Sequence, residues 1–142
     1  MSLECIKTLV NELTTLHVTR GVQPSDLVDN MFEDAYVESS FRKTLGGMVF
    51  EIAFQEIDED EHPTKVTMRY TYDQNRHLTL VEQKVAAKKF STQWDRASSI
   101  QERVERLETL LTEKLPRHKV AAILSSIPKD FVDMFPRLKL VA

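Results

Sequence analysis

The spacing of apolar side chains changes twice along the chain, from a helical period to an alternating one and back. Over residues 3–17 they recur every three or four positions, as on one face of an α-helix. From residue 47 to about residue 85 they alternate with polar side chains, as in strands with one buried face. Helical spacing returns from about Ser91 to Leu115. This order of elements predicts an α+β fold.

The alternating region predicts an antiparallel meander of three strands, expected at residues 47–57, 64–72 and 77–85. The second strand shows the clearest alternation, with one face formed by Val66, Met68, Tyr70 and Tyr72. Residues 73–76 have the length and Asn content of a hairpin loop. Residues 36–45 leave two possibilities open, a fourth strand or a loop, so the sheet is expected to have three to four strands.

Helices are expected before and after the strands along the chain. A short second helix follows the N-terminal one, with Ser25 as its N-cap. The long C-terminal helix is followed by two short ones, near Pro116 and after Pro128. We expect one buried cluster shared by the sheet and the long helix. It would contain Phe50, Ile52, Phe54, Met68, Tyr70, Leu80, Ile100, Val104 and Leu107.

The size and composition of the chain suit one soluble globular domain over residues 1–142. Hydrophobic residues make up 42% and charged residues 29%, which is typical of a folded domain and not of a disordered chain. The N-terminus lacks the apolar run of a secretory signal, and no stretch has the ~20 apolar residues that span a bilayer. We therefore expect a cytoplasmic or nuclear protein without a membrane partner.

The residue types that carry chemistry are scattered. The single Cys5 excludes an internal disulfide, and a chain with three glycines contains no phosphate-binding loop motif. Four histidines, at positions 17, 62, 77 and 118, have no neighbour at metal-ligand spacing. The acidic run at residues 56–61 lacks the glycine of a calcium loop. We assign no catalytic, cofactor-binding or metal-binding residue, and expect a protein that is not an enzyme.

Basic residues between the last predicted strand and the long helix suggest a weaker alternative, nucleic-acid binding. They are Lys84, Lys88, Lys89, Arg96, Arg103 and Arg106. Phe90 and Trp94 lie among them, but interspersed acids dilute the charge, so nucleic acid is an unlikely partner. The stretch from Lys114 onward is more basic. Residues 1–61 carry 13 acids and 4 bases, whereas residues 62–142 carry 9 acids and 15 bases, a polarity that would favour ordered pairing with a partner.

The supply of apolar helical surface is the main indication of function. We predict a non-catalytic interaction domain, of adaptor, scaffold or chaperone-like type, that binds a protein partner or forms a homodimer. The predicted partner-binding residues are Ile6, Leu9, Leu13, Leu16, Phe131 and Phe135. The same stripes would equally suit a monomer's core. An alternative is a small-molecule-binding or enzymatic domain, with a pocket between sheet and long helix lined by Tyr70, Tyr72, His77 or Trp94.

No specific motif identifies a family. In outline, an N-terminal helix, an antiparallel meander and C-terminal helices resemble two kinds of small interaction domain. One is the RWD-type domain of kinetochore and ubiquitin-pathway proteins, whose Tyr-Pro-containing signature after the meander is absent here. The other is the secretion-chaperone fold, an acidic dimer that holds an effector segment. Both resemblances imply protein binding and neither transfers functional residues to this sequence.

Overall fold

A computed structural model describes residues 3–57, 59–114 and 116–125. The elements in chain order are α1 (Leu3–Val18), α2 (Pro24–Val28), a 3-10 helix (Asp29–Phe32), β1 (Tyr36–Thr44), β2 (Gly47–Ile57), β3 (Pro63–Asp73), β4 (Leu78–Val85), β5 (Ser91–Asp95), α3 (Arg96–Lys114) and α4 (Arg117–Leu124). They divide into two compact units, a helical unit within Met1–Thr19 and Ala97–Ala142, and a sheet unit, Arg20–Arg96. The α+β class is as predicted. The expectation of a single domain stays a prediction.

The helical unit is held together by the apolar stripes of α1 and α3. Its buried side chains are Ile6, Leu9, Val10, Leu13, Ile100, Val104, Leu107, Leu110 and Leu111. An ion pair also joins the two helices, with Arg103 Nε donating to Glu12 Oε2 at 2.8 Å. None of the described helices is long and apolar enough to cross a membrane. Of the two short C-terminal helices expected, α4 is the first, and the one after Pro128 lies outside the described residues.

The sheet unit is a five-stranded antiparallel meander in the order β1-β2-β3-β4-β5. The three predicted strands are confirmed as β2, β3 and β4, and the predicted hairpin loop follows Asp73. There Asp73 Oδ1 accepts hydrogen bonds from the backbone N–H groups of Asn75 and His77, each at 2.9 Å. The fourth strand left open over residues 36–45 is present as β1, and the expectation of three to four strands was wrong because β5 brings the total in the described residues to five.

Strand β5 replaces the first turn predicted for the long helix. Ser91–Asp95 pairs with β4, with Trp94 opposite Val81, and the helix begins only at Arg96. Thr92 and Trp94 both favour strands, and Trp94 packs against the sheet's buried cluster instead of widening the helical stripe. The helical seam that the sequence does contain starts after this point.

The second helix covers part of one sheet face. Leu27 of α2 and Met31 of the 3-10 helix pack against a buried cluster made of Phe50, Ile52, Tyr72 and Leu78. The N-cap of α2 is Gln23, not the predicted Ser25, and Asp26 Oδ2 accepts the Gln23 backbone N–H at 2.9 Å. Pro24 at the first helical position shifts the helix start by two residues, since its fixed φ already suits a helix.

The single cluster predicted from the sequence is instead two. Phe50 and Ile52 belong to the sheet unit's cluster, against which Met68 and Tyr70 are only partly buried. The three predicted helical members, Ile100, Val104 and Leu107, are buried with α1 in the helical unit. Phe54 and Leu80 are both partly exposed. The sequence pattern identified the apolar, periodic side chains of each helix and strand. It did not show which of these elements pack against each other.

Candidate protein-interaction site

Strand β1 is an exposed edge of the sheet. Within the described part of the chain it pairs only with β2, and every residue after Tyr36 is exposed to solvent. The pairing is regular from Glu38 to Thr44, with a bulge at Val37. An edge strand presents a row of unpaired backbone N–H and C=O groups along its free side. At nine residues β1 is long for an edge, so it offers a template for another strand.

Apolar side chains accompany this backbone edge. Phe41 lies opposite Phe50 in the β1–β2 pair, and the two ring centroids are 4.6 Å apart. Phe50 is fully buried, whereas Phe41 is 53% exposed. Val37 on the same strand and Leu45 in the following turn are also exposed. The apolar face of the sheet therefore extends to β1 without being covered there.

The opposite face of β1 carries charge. Glu38, Ser40 and Arg42 are opposite Ala53, Glu51 and Val49 of β2, which places all three on one face. The Glu38 carboxylate accepts a hydrogen bond from the Lys65 ammonium of β3. The Arg42 side chain makes no hydrogen bond or ion pair with any residue the structure describes. This face of the edge thus holds one acid and one base, with a small hydroxyl between them.

The helical residues predicted to bind a partner lie elsewhere. Ile6, Leu9 and Leu13 are buried in the helical unit, and Leu16 is partly buried against the same cluster. Phe131 and Phe135 lie outside the described residues. In a single chain the seam of α1 is thus already occupied by α3, and its binding of a partner stays a prediction.

A groove runs alongside that seam in the helical unit. It has a volume of about 580 Å³ and is lined by Cys5, Thr8, Leu9 and Glu12 of α1 and by Arg106 and Leu110 of α3, with Glu4 at one end. Leu9 and Leu110 form its apolar floor and are themselves nearly buried. The two seam leucines therefore offer little of their own surface to a partner in this groove.

The sheet unit also has a polar depression of about 290 Å³ on the face that carries Glu38. Glu51, Lys65, Thr67 and Lys84 line it around Ala53, and the ring of Phe90 forms one wall. Glu51 and Lys84 form no ion pair with any described residue. The depression therefore has an acid and a base available to a ligand.

Arg69 fixes the aromatic wall of this depression. Its guanidinium carbon lies 3.8 Å from the centroid of the Phe90 ring, within the range of a cation–π contact. The guanidinium also donates to both carboxylate oxygens of Glu82, at 2.8 and 2.9 Å. These hydrogen bonds raise the pKa of Arg69, although burial opposes them. Arg69 is thus committed to structural contacts, as paired arginines generally are.

Groups with potential for chemistry are not assembled into a reactive site in the described residues. No three of their His, Cys, Asp and Glu side chains are arranged to hold a metal ion. The phenol of Tyr72 donates a hydrogen bond to the Val22 carbonyl at 2.7 Å, and burial raises its pKa above the ordinary value. Burial likewise raises the pKa of Tyr70. Both phenols therefore remain protonated at neutral pH and serve the sheet's packing.

The basic residues considered for nucleic acid are divided between the two units. Lys84, Lys88 and Lys89 belong to the sheet unit, and Arg103 and Arg106 to the helical unit. Arg103 is paired with Glu12, and Arg106 with Glu102 at 3.3 Å. The more basic stretch after Lys114 is described only in part. The two paired arginines are less available to a phosphate, because their charge is already compensated.

From the sequence, a strand over residues 36–45 was one of two open possibilities and was not recognised as a binding edge, because Glu38, Ser39 and Ser40 interrupt the apolar alternation. One signal was available, the Gly46–Gly47 dipeptide directly before a predicted strand, which is typical of a hairpin turn.

Comparisons with protein-family models, with curated proteins and with solved structures give no match to this chain.

Proposed function

We propose that this protein is a non-catalytic protein-interaction module that binds an extended segment of a protein chain along β1. The observation that carries the proposal is the exposure of a nine-residue edge strand together with the half-exposed Phe41. The partner class, protein, is the one indicated by the sequence. The surface is different, because the apolar seam of α1 is buried and the edge of the sheet is not.

Strand addition is the physical basis of this proposal. An extended segment that pairs with β1 satisfies backbone groups of both partners, and alternate side chains then supply specificity. Phe41 gives the incoming strand an apolar contact that is continuous with the buried Phe50. Removing this ring from water stabilises the complex in addition to the backbone hydrogen bonds. Aromatic side chains are frequent anchors of protein interfaces.

The other edge of the sheet supports the choice of β1. Strand β5 has five residues, and α3 follows it directly. Proteins commonly shorten or cover an edge strand to prevent unwanted pairing. Strand β1 is longer and is exposed from Val37 to Thr44, so it lacks both of these protections.

The proposed function includes no chemical step. What supports this is the state of the candidate groups: the Tyr72 phenol is committed to Val22, and Arg69 to Glu82 and Phe90. These features suit a binding protein better than an enzyme.

The test compares partner binding by the wild type with that of two edge variants. Phe41→Lys places a charge on the exposed edge of β1, and Thr92→Lys places the same charge on the exposed β5. Proteins recovered from cell extract by the wild type are purified, and amide hydrogen exchange of the complex is measured. We expect new protection in residues 37–44, loss of binding in Phe41→Lys, and normal binding in Thr92→Lys. Protection confined to α1 or α3, or undiminished binding by Phe41→Lys, would contradict the proposal.

A second candidate function is the binding of a small zwitterion in the polar depression. The specific observation is that Glu51 and Lys84 line it without ion-pair partners. A ligand with a carboxylate and an ammonium group would contact both. A ligand that binds only the folded state raises its stability, so thermal unfolding with free amino acids tests the idea. An increase in the thermal midpoint that disappears in Lys84→Gln supports this function. No increase in the midpoint with any amino acid argues against it.

A further inference from the structure

We infer that the segment paired with β1 is β1 of a second copy of this chain, aligned antiparallel about a two-fold axis that passes beside Ser40. The inference rests on the proposed function, since it names the partner of the same edge. It joins two five-stranded sheets into one continuous sheet of ten strands. The order of side chains along β1 favours a second copy of this strand as the partner.

Symmetry restricts the possible registers. Two identical antiparallel strands in one continuous sheet are related by an axis normal to the sheet, so each residue and its copy lie on the same face. Directly opposed residues also share a face. A residue of β1 must therefore lie opposite one that is an even number of positions away, and a single residue marks the centre. The registers to compare are those centred on successive residues near the middle of the strand.

Only one of these registers opposes the two unlike charges. With Ser40 at the centre, Glu38 lies directly opposite Arg42 of the second copy, and the symmetry repeats this pair on the other side of the axis. A centre at Glu38 or Arg42 would oppose identical charges. A centre at Ser39 or Phe41 would leave Glu38 and Arg42 out of direct opposition. Unlike charges directly opposed across strands are favourable and like charges unfavourable, so the Ser40 register is selected.

The groups involved are available for this pairing. The Arg42 guanidinium has no hydrogen bond or ion pair in the described part of the chain, and the residue is exposed. Glu38 is bonded to Lys65, but that contact uses one carboxylate oxygen, Oε1. The second oxygen remains able to accept from a guanidinium. At the axis the two Ser40 side chains face each other and are small enough to permit close approach of the strands.

The apolar face of the same register buries the exposed aromatic ring. Phe41 lies opposite Ser39 of the second copy and diagonal to its Phe41. Diagonal neighbours are within reach of aromatic side chains. The two rings thus cover each other above the axis, each next to its own Phe50. The bulge at Val37 then limits the regular ladder to the residues around the axis.

Charged residues on edge strands commonly protect the edge against aggregation. Electrostatic repulsion between two copies, however, arises only when like charges meet. In the Ser40 register unlike charges meet instead, and they do so twice. The order acid, small residue, base across three positions on one face is therefore a recognition pattern for this strand itself.

The first test measures the dimer dissociation constant by sedimentation across a wide range of protein concentration. Arg42→Glu opposes glutamates on both sides of the axis, whereas Lys43→Glu changes the net charge equally but lies on the other face. We expect Arg42→Glu to raise the dissociation constant roughly tenfold or more, because two favourable pairs become two unfavourable ones. Lys43→Glu should leave it nearly unchanged. Equal effects of the two variants would overturn the register.

Charge exchange gives a sharper readout. The double variant Glu38→Arg/Arg42→Glu restores unlike pairs and should restore the dimer. A mixture of the two single variants should form heterodimers in preference to either homodimer. Since Glu38→Arg places a second cation beside Lys65, its fold is checked by circular dichroism. If that variant fails to fold, the comparison of Arg42→Glu with Lys43→Glu and the crosslink below still decide the register.

The crosslink tests the axis itself. In a Cys5→Ser background, Ser40→Cys brings two thiols into direct opposition, so mild oxidation should yield a covalent dimer. Lys43→Cys, on the other face, should not form one. A wild type that is monomeric at every concentration, with no Ser40→Cys crosslink, overturns the inference. In that case protection of residues 37–44 by another protein would still uphold the proposed function, and its absence would remove both.

Discussion

The rings of Phe41 and Phe50 are 4.6 Å apart at their centroids and directly opposed in the β1–β2 pair, but only Phe50 is buried. Phe50 belongs to the sheet unit's buried cluster, against which Leu27 of α2 and Tyr70 of β3 pack. Phe41 contacts Phe50 on one side only and faces solvent on the other. The apolar layer of the sheet therefore stops at a position where a further strand would complete it.

This asymmetry predicts unequal costs of truncation. Phe50→Ala should lower the free energy of unfolding by about 3–5 kcal/mol, as expected for a buried aromatic. Phe41→Ala should cost about 0.5–1.5 kcal/mol, the range of an aromatic pair contact. Urea unfolding followed by fluorescence of the single Trp94, which packs in the sheet unit, measures both. Equal losses would mean that β1 is covered in solution, as in a dimer, and comparison at low and high protein concentration identifies that case.

Adjacent glycines in the β1–β2 turn provide a matched pair of variants. Gly47 has φ +155°, and a Cβ atom there would lie 1.8 Å from the carbonyl oxygen of Tyr72. Gly46 has nothing within 4 Å of the corresponding position. Gly47→Ala should therefore cost more than the ~1–3 kcal/mol of an unfavourable backbone conformation alone.

Gly46→Ala is the control for that substitution and should change stability by about 0.5 kcal/mol or less, as surface substitutions usually do. Thermal unfolding of both variants under the same conditions gives the comparison. A Gly47→Ala protein as stable as Gly46→Ala would show that the turn does not pack against β3 in solution.

Burial of the Tyr72 phenol predicts a loss of stability in alkali. Its pKa is raised in the folded state, chiefly by desolvation, so the folded protein keeps this proton to higher pH than the unfolded chain. The resulting stability is complete below the unfolded value of about 10 and is lost as the pH rises through the folded pKa. Above pH ~10, each pH unit should lower the free energy of unfolding by about 1.4 kcal/mol per such group.

Tyr72→Phe removes this dependence together with the hydrogen bond to Val22. The variant should be about 1 kcal/mol less stable at neutral pH but should lose stability less steeply above pH ~10. Part of the slope should remain, because burial also raises the pKa of Tyr70. The effect is measured by urea unfolding midpoints from about pH 8 to about pH 11.5, a range that brackets the unfolded tyrosine pKa of about 10. An unchanged alkaline slope would mean that the Tyr72 phenol is hydrated in solution.

The three central strands were predictable because their residues alternate over long stretches. Residues 64–72 alternate without interruption, and the observed β3 differs by only one residue at each end. The edge strands were not predictable in this way. Strand β1 is exposed on both faces, so burial imposes no alternation on it, and β5 is too short to show a period. Helical spacing begins directly after β5, and for this reason the predicted helix was extended across Trp94.

The candidate site was harder to predict than the fold for a related reason. A binding edge is a strand that no other part of the fold covers. Sequence periodicity indicates which side chains favour burial, but it does not show whether another element buries them. Ile6, Leu9 and Leu13 satisfied that criterion, and in the structure α3 provides the cover. Phe41, between Ser40 and Arg42, gave no periodic signal, although it is the aromatic side chain left half exposed on the edge.

The last prediction separates the buried seam from the exposed edge as binding surfaces. Leu13 is fully buried in the helical unit, so Leu13→Glu places a charge among apolar side chains, at a cost of several kcal/mol. We expect increased amide exchange in α1 and α3 and a lower thermal midpoint. Thr15→Glu, an exposed change of equal charge on the same helix, should be nearly neutral. Phe41→Glu should keep the fold and lose association. If Leu13→Glu instead kept native exchange and midpoint but lost association, α1 would be the docking surface, and the sequence-based assignment of Leu13 and its neighbours to a partner would be correct.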